Sequence, residues 1–304
     1  MNRAQRTKSA KFTEAIKPST TKSFRLKTAA KRLQRLLLQS TCNCVSDVRH
    51  VAVAFSGGLD SGVLAFLAEK CCVETQLITV GLENTPEIAY AENAAHALNL
   101  PICVATYSIS DVEETIPQVL RLIKDYNPVN VGIAIPLFWT AHVAAKKRLS
   151  VLLAGQGADE LFGGYHRYLG ILAEKGREGL RKALFLDFVT YCDSGFQRDS
   201  SVCAFHNVKL RLPYTDLQVA NFALSLPASL KIASPTDRLR KKVLRKAADN
   251  MGVPSLIVNR AKKAVQYATG VDKALHKLAK RENLNISDYC KKLSTQHSQN
   301  VTSK

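Results

Sequence analysis

The chain has one tryptophan and two methionines in 304 residues, and its eight cysteines contain no C-x-x-C pair. Without such pairs neither a zinc ribbon nor a disulfide scaffold is expected, and a reducing cytoplasm is the simplest setting. No run of about 18 residues reads as uncharged and apolar throughout, so no membrane span is expected. A Walker loop, G-x-x-x-x-G-K-S/T, is missing, and so is any internal repeat. Acids are scarce as well. Twenty-five Asp and Glu stand against 43 Lys and Arg, a net charge of +18. A length of 304 residues is enough to bury a sizeable core.

The excess charge is uneven. Residues 1–35 hold eleven Lys and Arg against one acid, Glu14, so about ten of the eighteen charges lie there. Residues 1–22 read as a polar basic arm. From Phe24, FRLKTAAKRLQRLLL has helical spacing, with Leu26, Ala29, Ala30, Leu33, Leu36 and Leu37 on one stripe. Such a start reads first as a solvated tail leading into a docking helix, with an organellar transit peptide and a contact for nucleic acid as the alternatives. Its confinement to the arm weighs against a nucleic-acid enzyme. The final STQHSQNVTSK reads as a polar tail. The organisation expected is therefore an arm over 1–35, a domain over 36–281 and a tail over 282–304.

Within the domain, short apolar runs alternate with helical patterns. VAVAF, TQLITVG, PICVATY and SVLLAG read as strands, and the segments between them as helices. The fold class expected is α/β: a parallel sheet with helices on both faces, followed by a mainly helical C-terminal part. Ligands of such sheets bind at the carboxyl ends of the strands.

Two glycine-rich loops lie there. The first, Ser56-Gly57-Gly58-Leu59-Asp60-Ser61, joins VAVAF to a helix. Its glycines allow N–H groups to approach an anion, and the helix N-terminus favours negative charge. Asp60 beside phosphates would be repulsive unless a divalent cation lay between them, which points to Mg²⁺. The second, Ala154-Gly155-Gln156-Gly157-Ala158-Asp159-Glu160, runs on through Leu161-Phe162-Gly163-Gly164-Tyr165 and follows SVLLAG with the same logic. Together the two loops read as a triphosphate–metal clamp. For Glu160, an acid stabilising a helix N-terminus is an equally good reading.

These residues resemble a known family. SGGLDS is similar to the PP-loop of the N-type ATP pyrophosphatases (adenine nucleotide alpha hydrolase-like). GQGADELFGGYHRY, LRLPYTD (Leu210–Asp216), Lys241-Lys242-Val243-Leu244-Arg245 and NRAKKAVQY (Asn259–Tyr267) resemble, in order, signatures of the asparagine synthetase C-terminal domain. The resemblance covers about residues 50–280. It implies an ATP-dependent, AMP-forming amide ligase using ATP and Mg²⁺. A carboxylate, aspartate first among them, would become an acyl-adenylate with loss of pyrophosphate, and ammonia would complete the amide.

By the same resemblance Ser56, Gly57, Gly58, Leu59, Asp60, Ser61 and Gly157 would hold the phosphates, and Asp60 and Asp159 would hold Mg²⁺. Val80, Gly81, Ala154 and Gly155 would line the adenine pocket. Lys262 or Lys263 would neutralise charge at the α-phosphate, with Lys241 and Arg245 as lesser candidates in a run that also reads as an exposed basic face. His166 and Arg167 are open between a phosphate or acceptor role and a structural one. His96, Phe138, Trp139, Cys71 and Cys72 read as packing or surface residues.

The chain departs from the family at three points. Too few residues precede Val51 to form a glutaminase half, so free ammonia or a separate glutaminase subunit is the expected nitrogen source. Gln156 stands where asparagine synthetases usually have Glu; an amide binds but does not exchange protons. Gly132, in NPVNVGIAIP (Asn127–Pro136), takes the position of an Arg that suits an aspartate carboxylate. An ATP-dependent tRNA-modifying enzyme and a non-catalytic ATP-binding module are the alternatives, and homo-oligomerisation is left open.

Overall fold

A computed structural model describes residues 15–16 and 24–302, with side chains as far as Thr295. Five parallel strands form one sheet in the order β3-β2-β1-β4-β5. They are β1 (His50–Ala54), β2 (Glu74–Leu82), β3 (Ile102–Tyr107), β4 (Val151–Leu153) and β5 (Lys209–Arg211). The helices that precede β4 are α1 (Leu26–Val45), α2 (Leu59–Lys70), α3 (Pro86–Leu98), α4 (Ile109–Ile123) and α5 (Pro128–Lys146). After β4 come α6 (Ala158–Phe162), α7 (Arg167–Thr190), α8 (Phe196–Phe205), α9 (Leu217–Ser225) and α10 (Lys242–Met251). The chain closes with α11 (Ser255–Val258), α12 (Val265–Ala268), α13 (Val271–Arg281) and α14 (Ile286–Thr302).

A parallel strand covered on both faces needs apolar residues at both parities. VAVAF supplies them. Val51 and Val53 join Leu77, Val151 and Leu153 in a core closed by α1, α2, α3 and α10. Ala52 joins Ile78, Val80 and Leu152 in a second core closed by α4, α5, α8, α13 and α14. The sheet grows outward from β1 through β2 to β3, then returns through α4 and α5 to β4 on the other side of β1. The loops leaving β1 and β4 thus diverge from adjacent strand ends at the point where the strand order reverses, the crevice where such folds bind ligands.

Several expectations need correction. β5 is a fifth strand, hidden in the sequence because Lys209-Leu210-Arg211 offers a single apolar residue between two cations. The boundary at 35/36 falls inside α1, whose Ala29, Ala30, Leu33, Leu37 and Val45 belong to the first core. The expected tail over 282–304 contains α14, with Tyr289 and Cys290 buried. Asn127–Pro136 opens α5: the Asn127 side chain accepts from Val129 N–H at 2.9 Å and Pro128 sits in the first turn, a strong start signal. That helix is long and apolar enough to cross a membrane, contrary to the sequence reading, but it is a core helix with Val131, Ala134, Ile135 and Trp139 buried. Cys71, read as a packing residue, forms a disulfide with Cys42 that ties the end of α1 to the end of α2, while Cys72 is exposed. The expected polar arm over 1–22 lies almost wholly outside the described residues.

Candidate active site

The β1 loop turns sharply. Gly57 has φ +67°, and a Cβ there would stand 3.0 Å from the Arg260 guanidinium and 3.1 Å from the Ala91 backbone. A side chain is thus excluded by conformation and by space together. Ser56 N–H donates to Ser61 Oγ at 3.2 Å, and Ser61 Oγ donates to Gly58 O at 3.3 Å, closing the loop on itself. Arg260 holds it from outside, donating to Ser56 O at 2.5 Å while its guanidinium lies 3.6 Å over the Tyr90 ring. Leu59 and Ser61 are buried at the start of α2, and Asp60 is set in its first turn.

The β4 loop packs directly on that turn: a Cβ on Gly155 would come 3.0 Å from Asp60 Cβ. Gly157, at φ +88°, starts α6, whose first turn carries Asp159 and Glu160. The chain then doubles back so tightly that a Cβ on Gly164 would fall 1.8 Å from Asp159 Oδ1 and 2.4 Å from Lys241 Cε. Gly164 leaves the room that this pair occupies.

Four charges meet between the loops. Lys241 Nζ lies 2.6 Å from both Asp60 oxygens and 2.6 Å from Asp159 Oδ1. Lys262 Nζ lies 2.7 Å from Asp159 Oδ2 and 3.8 Å from Asp60 Oδ2. Burial alone would raise the Asp159 carboxyl, but Lys241 and Lys262 outweigh it and hold it well below the usual carboxylate range. Glu160 is pushed the other way, to about 7, by burial and then by the charge of Asp159, and it accepts a 2.6 Å bond from Tyr165 Oη.

The carboxylates also suit a metal. Asp60 and Asp159 converge on one ammonium, and Asp159 Oδ1, though buried and 2.6 Å from it, is in no hydrogen-bonding direction. A pair of carboxylates of this kind fits Mg²⁺, which takes one or two of them and completes its shell with water and substrate phosphates.

The remaining candidates sort as follows. Lys262 is in the cluster; Lys263 instead pairs with Glu87 at the start of α3. Val80 and Gly81 end β2, where the Thr269 carbonyl accepts from Leu82 N–H at 2.8 Å and covers them. Ala154 is buried and Gln156 half-buried in the β4 loop. Arg167 pairs with Asp187 at 2.6 Å, away from the cluster, and His166 and His96 are exposed. Gly132 packs on Gln266, where a Cβ would meet the Gln266 Cβ at 3.2 Å.

Two basic side chains overturn their reading as an exposed face. Lys241 is 1% exposed and is the hub of the cluster. Arg245 is buried and donates to the carbonyls of Arg240 at 2.8 Å and Arg260 at 3.0 Å, so it fastens the Lys241 turn to the Arg260–Lys263 segment. Arg198 went unnoticed in the sequence. It pairs with the fully buried Asp199 at 2.8 Å and donates to Asn130 Oδ1 at 2.6 Å, bringing a guanidinium to the opening turn of α5. Nothing local marks it; Asn130 is 68 residues away.

Fold and loops together define an α/β protein of the PP-loop type, with a glycine-lined crevice at the β1–β4 switch point. Comparison with known proteins makes the family specific. The asparagine synthase family model matches residues 32–178 and 172–297. A Methanocaldococcus jannaschii protein, provisionally named asparagine synthetase (glutamine-hydrolyzing) 1, is 33% identical over 83% of this chain and 52% of its own length. The asparagine synthetase of Gallus gallus is 26% identical over 79% of this chain and 44% of its own. Asparagine synthetase 1 of Arabidopsis thaliana is 28% identical over 72% and 39%. The chain belongs to the asparagine synthase family. It spans about half the length, or less, of these relatives.

Proposed function

We propose that the chain is an ATP-dependent carbon–nitrogen ligase of the asparagine synthetase type, activating a carboxylate, aspartate first, and joining it to ammonia. One observation carries this reading: Asp60 and Asp159, from separate strand-end loops, lie 2.6 Å from the same ammonium beside a glycine-lined anion turn. The acceptor carboxylate oxygen bonds to the α-phosphorus of ATP as the bond to the bridging oxygen breaks and pyrophosphate leaves. Ammonia then bonds to the acyl carbon, gives up a proton, and AMP departs.

Mg²⁺, held by Asp60 and Asp159, would supply positive charge to the phosphates. Ser56, Gly57, Gly58 and Ser61 would bind phosphate oxygens through their N–H and O–H groups. Lys262 would offset charge developing at the α-phosphorus, and burial in a crevice makes each such contact count for more than it does in water. Gln156 would orient the incoming amine by hydrogen bonds without taking its proton. At the acceptor end Arg198, bonded to Asn130 at 2.6 Å, would bring a cation to the segment where Gly132 stands in place of the family's Arg. Nitrogen would arrive as free ammonia or from a separate glutaminase subunit.

The test is ATP–pyrophosphate exchange with Mg²⁺, scanned over aspartate, other amino acids and bulk tRNA, with Asp60→Ala as control. Exchange that requires aspartate and is lost in the variant is the expected result. Exchange with tRNA would replace this reading with the RNA-modifying one, and ATP binding without exchange would replace it with the binding module.

A further inference from the structure

Between Glu14 and Asp47 the chain has no acidic residue. The described part of that stretch is dominated by α1, which has two unlike faces. Ala29, Ala30, Leu33 and Leu37 are sealed in the first core, against α10 and α2 among others. Opposite them Arg25, Lys27, Lys31 and Arg35 are exposed, and beside that row the exposed Arg32 places its guanidinium 5.0 Å over the Phe222 ring. Lys27, Lys31 and Arg35 recur every four residues and so form a straight row, rising about 6 Å per step along the helix. Among the described residues no carboxylate lies within ion-pairing distance of any of the five. Elsewhere lysines and arginines do find acids, as Lys246 finds Asp249 and Arg211 finds Asp47. A linear, unneutralised row of cations is matched by a polymer whose negative charges also repeat along a line.

We propose that the outer face of α1 is a docking surface for nucleic acid, held through its phosphates, separate from the ATP crevice and independent of the ligase reading. An anionic membrane fits the face less well, because surface helices that bind lipid insert an apolar side. Here that side is already consumed by the core, leaving Leu38 as the exposed large apolar residue on the helix. An acidic protein segment fits less well too, since three of the five cations are arginines, whose planar fork pairs two-pronged with phosphate oxygens. The sequence adds six further Lys and Arg before Arg25, so charge continues along the chain beyond the helix.

The experiment uses the full chain, a fluorescein-labelled single-stranded RNA of mixed sequence, and anisotropy from 50 to 300 mM KCl. The comparison variant is Lys27→Glu/Lys31→Glu/Arg35→Glu, confined to solvent-facing positions, with far-UV circular dichroism and a thermal melt as folding controls. The expected result is binding whose log K falls steeply with log salt, and a folded variant whose slope is shallower by about 2, the loss of three phosphate contacts at about 0.7 each. Should the triple variant not fold, the single substitutions Lys27→Gln, Lys31→Gln and Arg35→Gln should each lower the slope by about 0.7. An unchanged slope in the folded variant or the singles would overturn the proposal, as would no RNA binding at 50 mM KCl. Equal or tighter binding to phosphatidylserine vesicles, or to polyglutamate of matched charge, would also overturn it, assigning the face to a membrane or to an acidic protein.

Discussion

Lys241 and Lys31 carry the same ammonium, and the fold treats them in opposite ways. Lys241 is almost completely buried, with two carboxylates at 2.6 Å, at the point where the sheet reverses direction. Lys31 stands on the outer face of α1 with no carboxylate near it among the described residues. A buried ammonium persists only because Asp60 and Asp159 compensate its lost hydration, so each of the three makes the others tolerable. An exposed one keeps its hydration and influences its surroundings at long range instead. Net charge counts the two identically, which is why +18 says so little about where the chemistry lies.

The largest expected effect tests that contrast directly. Lys241→Met takes the close counter-charge from Asp60 and leaves Lys262, 2.7 Å from Asp159, to serve both carboxylates, and urea unfolding should show a loss of about 3 kcal/mol. Lys31→Met should stay within about 0.5 kcal/mol, as for ordinary surface changes. Equal losses would erase the distinction.

Gly164→Ala should come next. Its new methyl would collide with Asp159 Oδ1, so exchange activity should fall by about a hundredfold or more, on the scale of losing one well-placed charge-stabilising contact. Circular dichroism and pyrophosphate exchange measured together would separate this from global unfolding.

The neighbouring lysines sharpen the comparison within four ångströms of chain. Lys262→Ala removes a charge paired with Asp159 and should lower kcat by about a hundredfold, whereas Lys263→Ala, whose partner is Glu87, should change it by less than about threefold. The reverse order would mean that the ion pairs mislead about which lysine serves the phosphates.

The smallest effect concerns a side chain with no counter-ion. His206 is held down to about 4, mainly by burial and further by His142, and its Nε2 has no hydrogen-bond partner. The unfolded chain takes up this proton near pH 6.5 and the folded one near 4, so stability should fall as pH drops through that window and be flat above it. His206→Gln should remove about 1–2 kcal/mol of that fall, visible in melting temperatures between pH 7.5 and 4.5.

Legibility in the sequence followed the range of the signal. SGGLDS and GQGADELFGGY announce themselves because the constraint is local: glycines where the chain turns or crowds, acids at the next helix start. The other four strands were legible for the same reason, as compact apolar runs. β5 was not, since Lys209-Leu210-Arg211 sets one apolar residue between two cations and resembles a solvent-facing segment. Lys241 was misread because its run, RLRKK, looks like solvent-facing charge; its partner Asp60 is 181 positions away, and burial is settled by where α10 docks. Arg198 and the Cys42–Cys71 bridge were missed on the same ground, as both depend on elements that meet only in three dimensions. The glycine turn was thus readable, while the charges that gather beside it were not.

The most direct test of the account is calorimetric titration of ATP, with and without Mg²⁺, into the intact chain and into folded Asp60→Asn. Binding that needs Mg²⁺ and is lost in the variant is the predicted result. Equal affinity in all four titrations would contradict the claim that Asp60 and Asp159 form the metal-dependent centre of the nucleotide site.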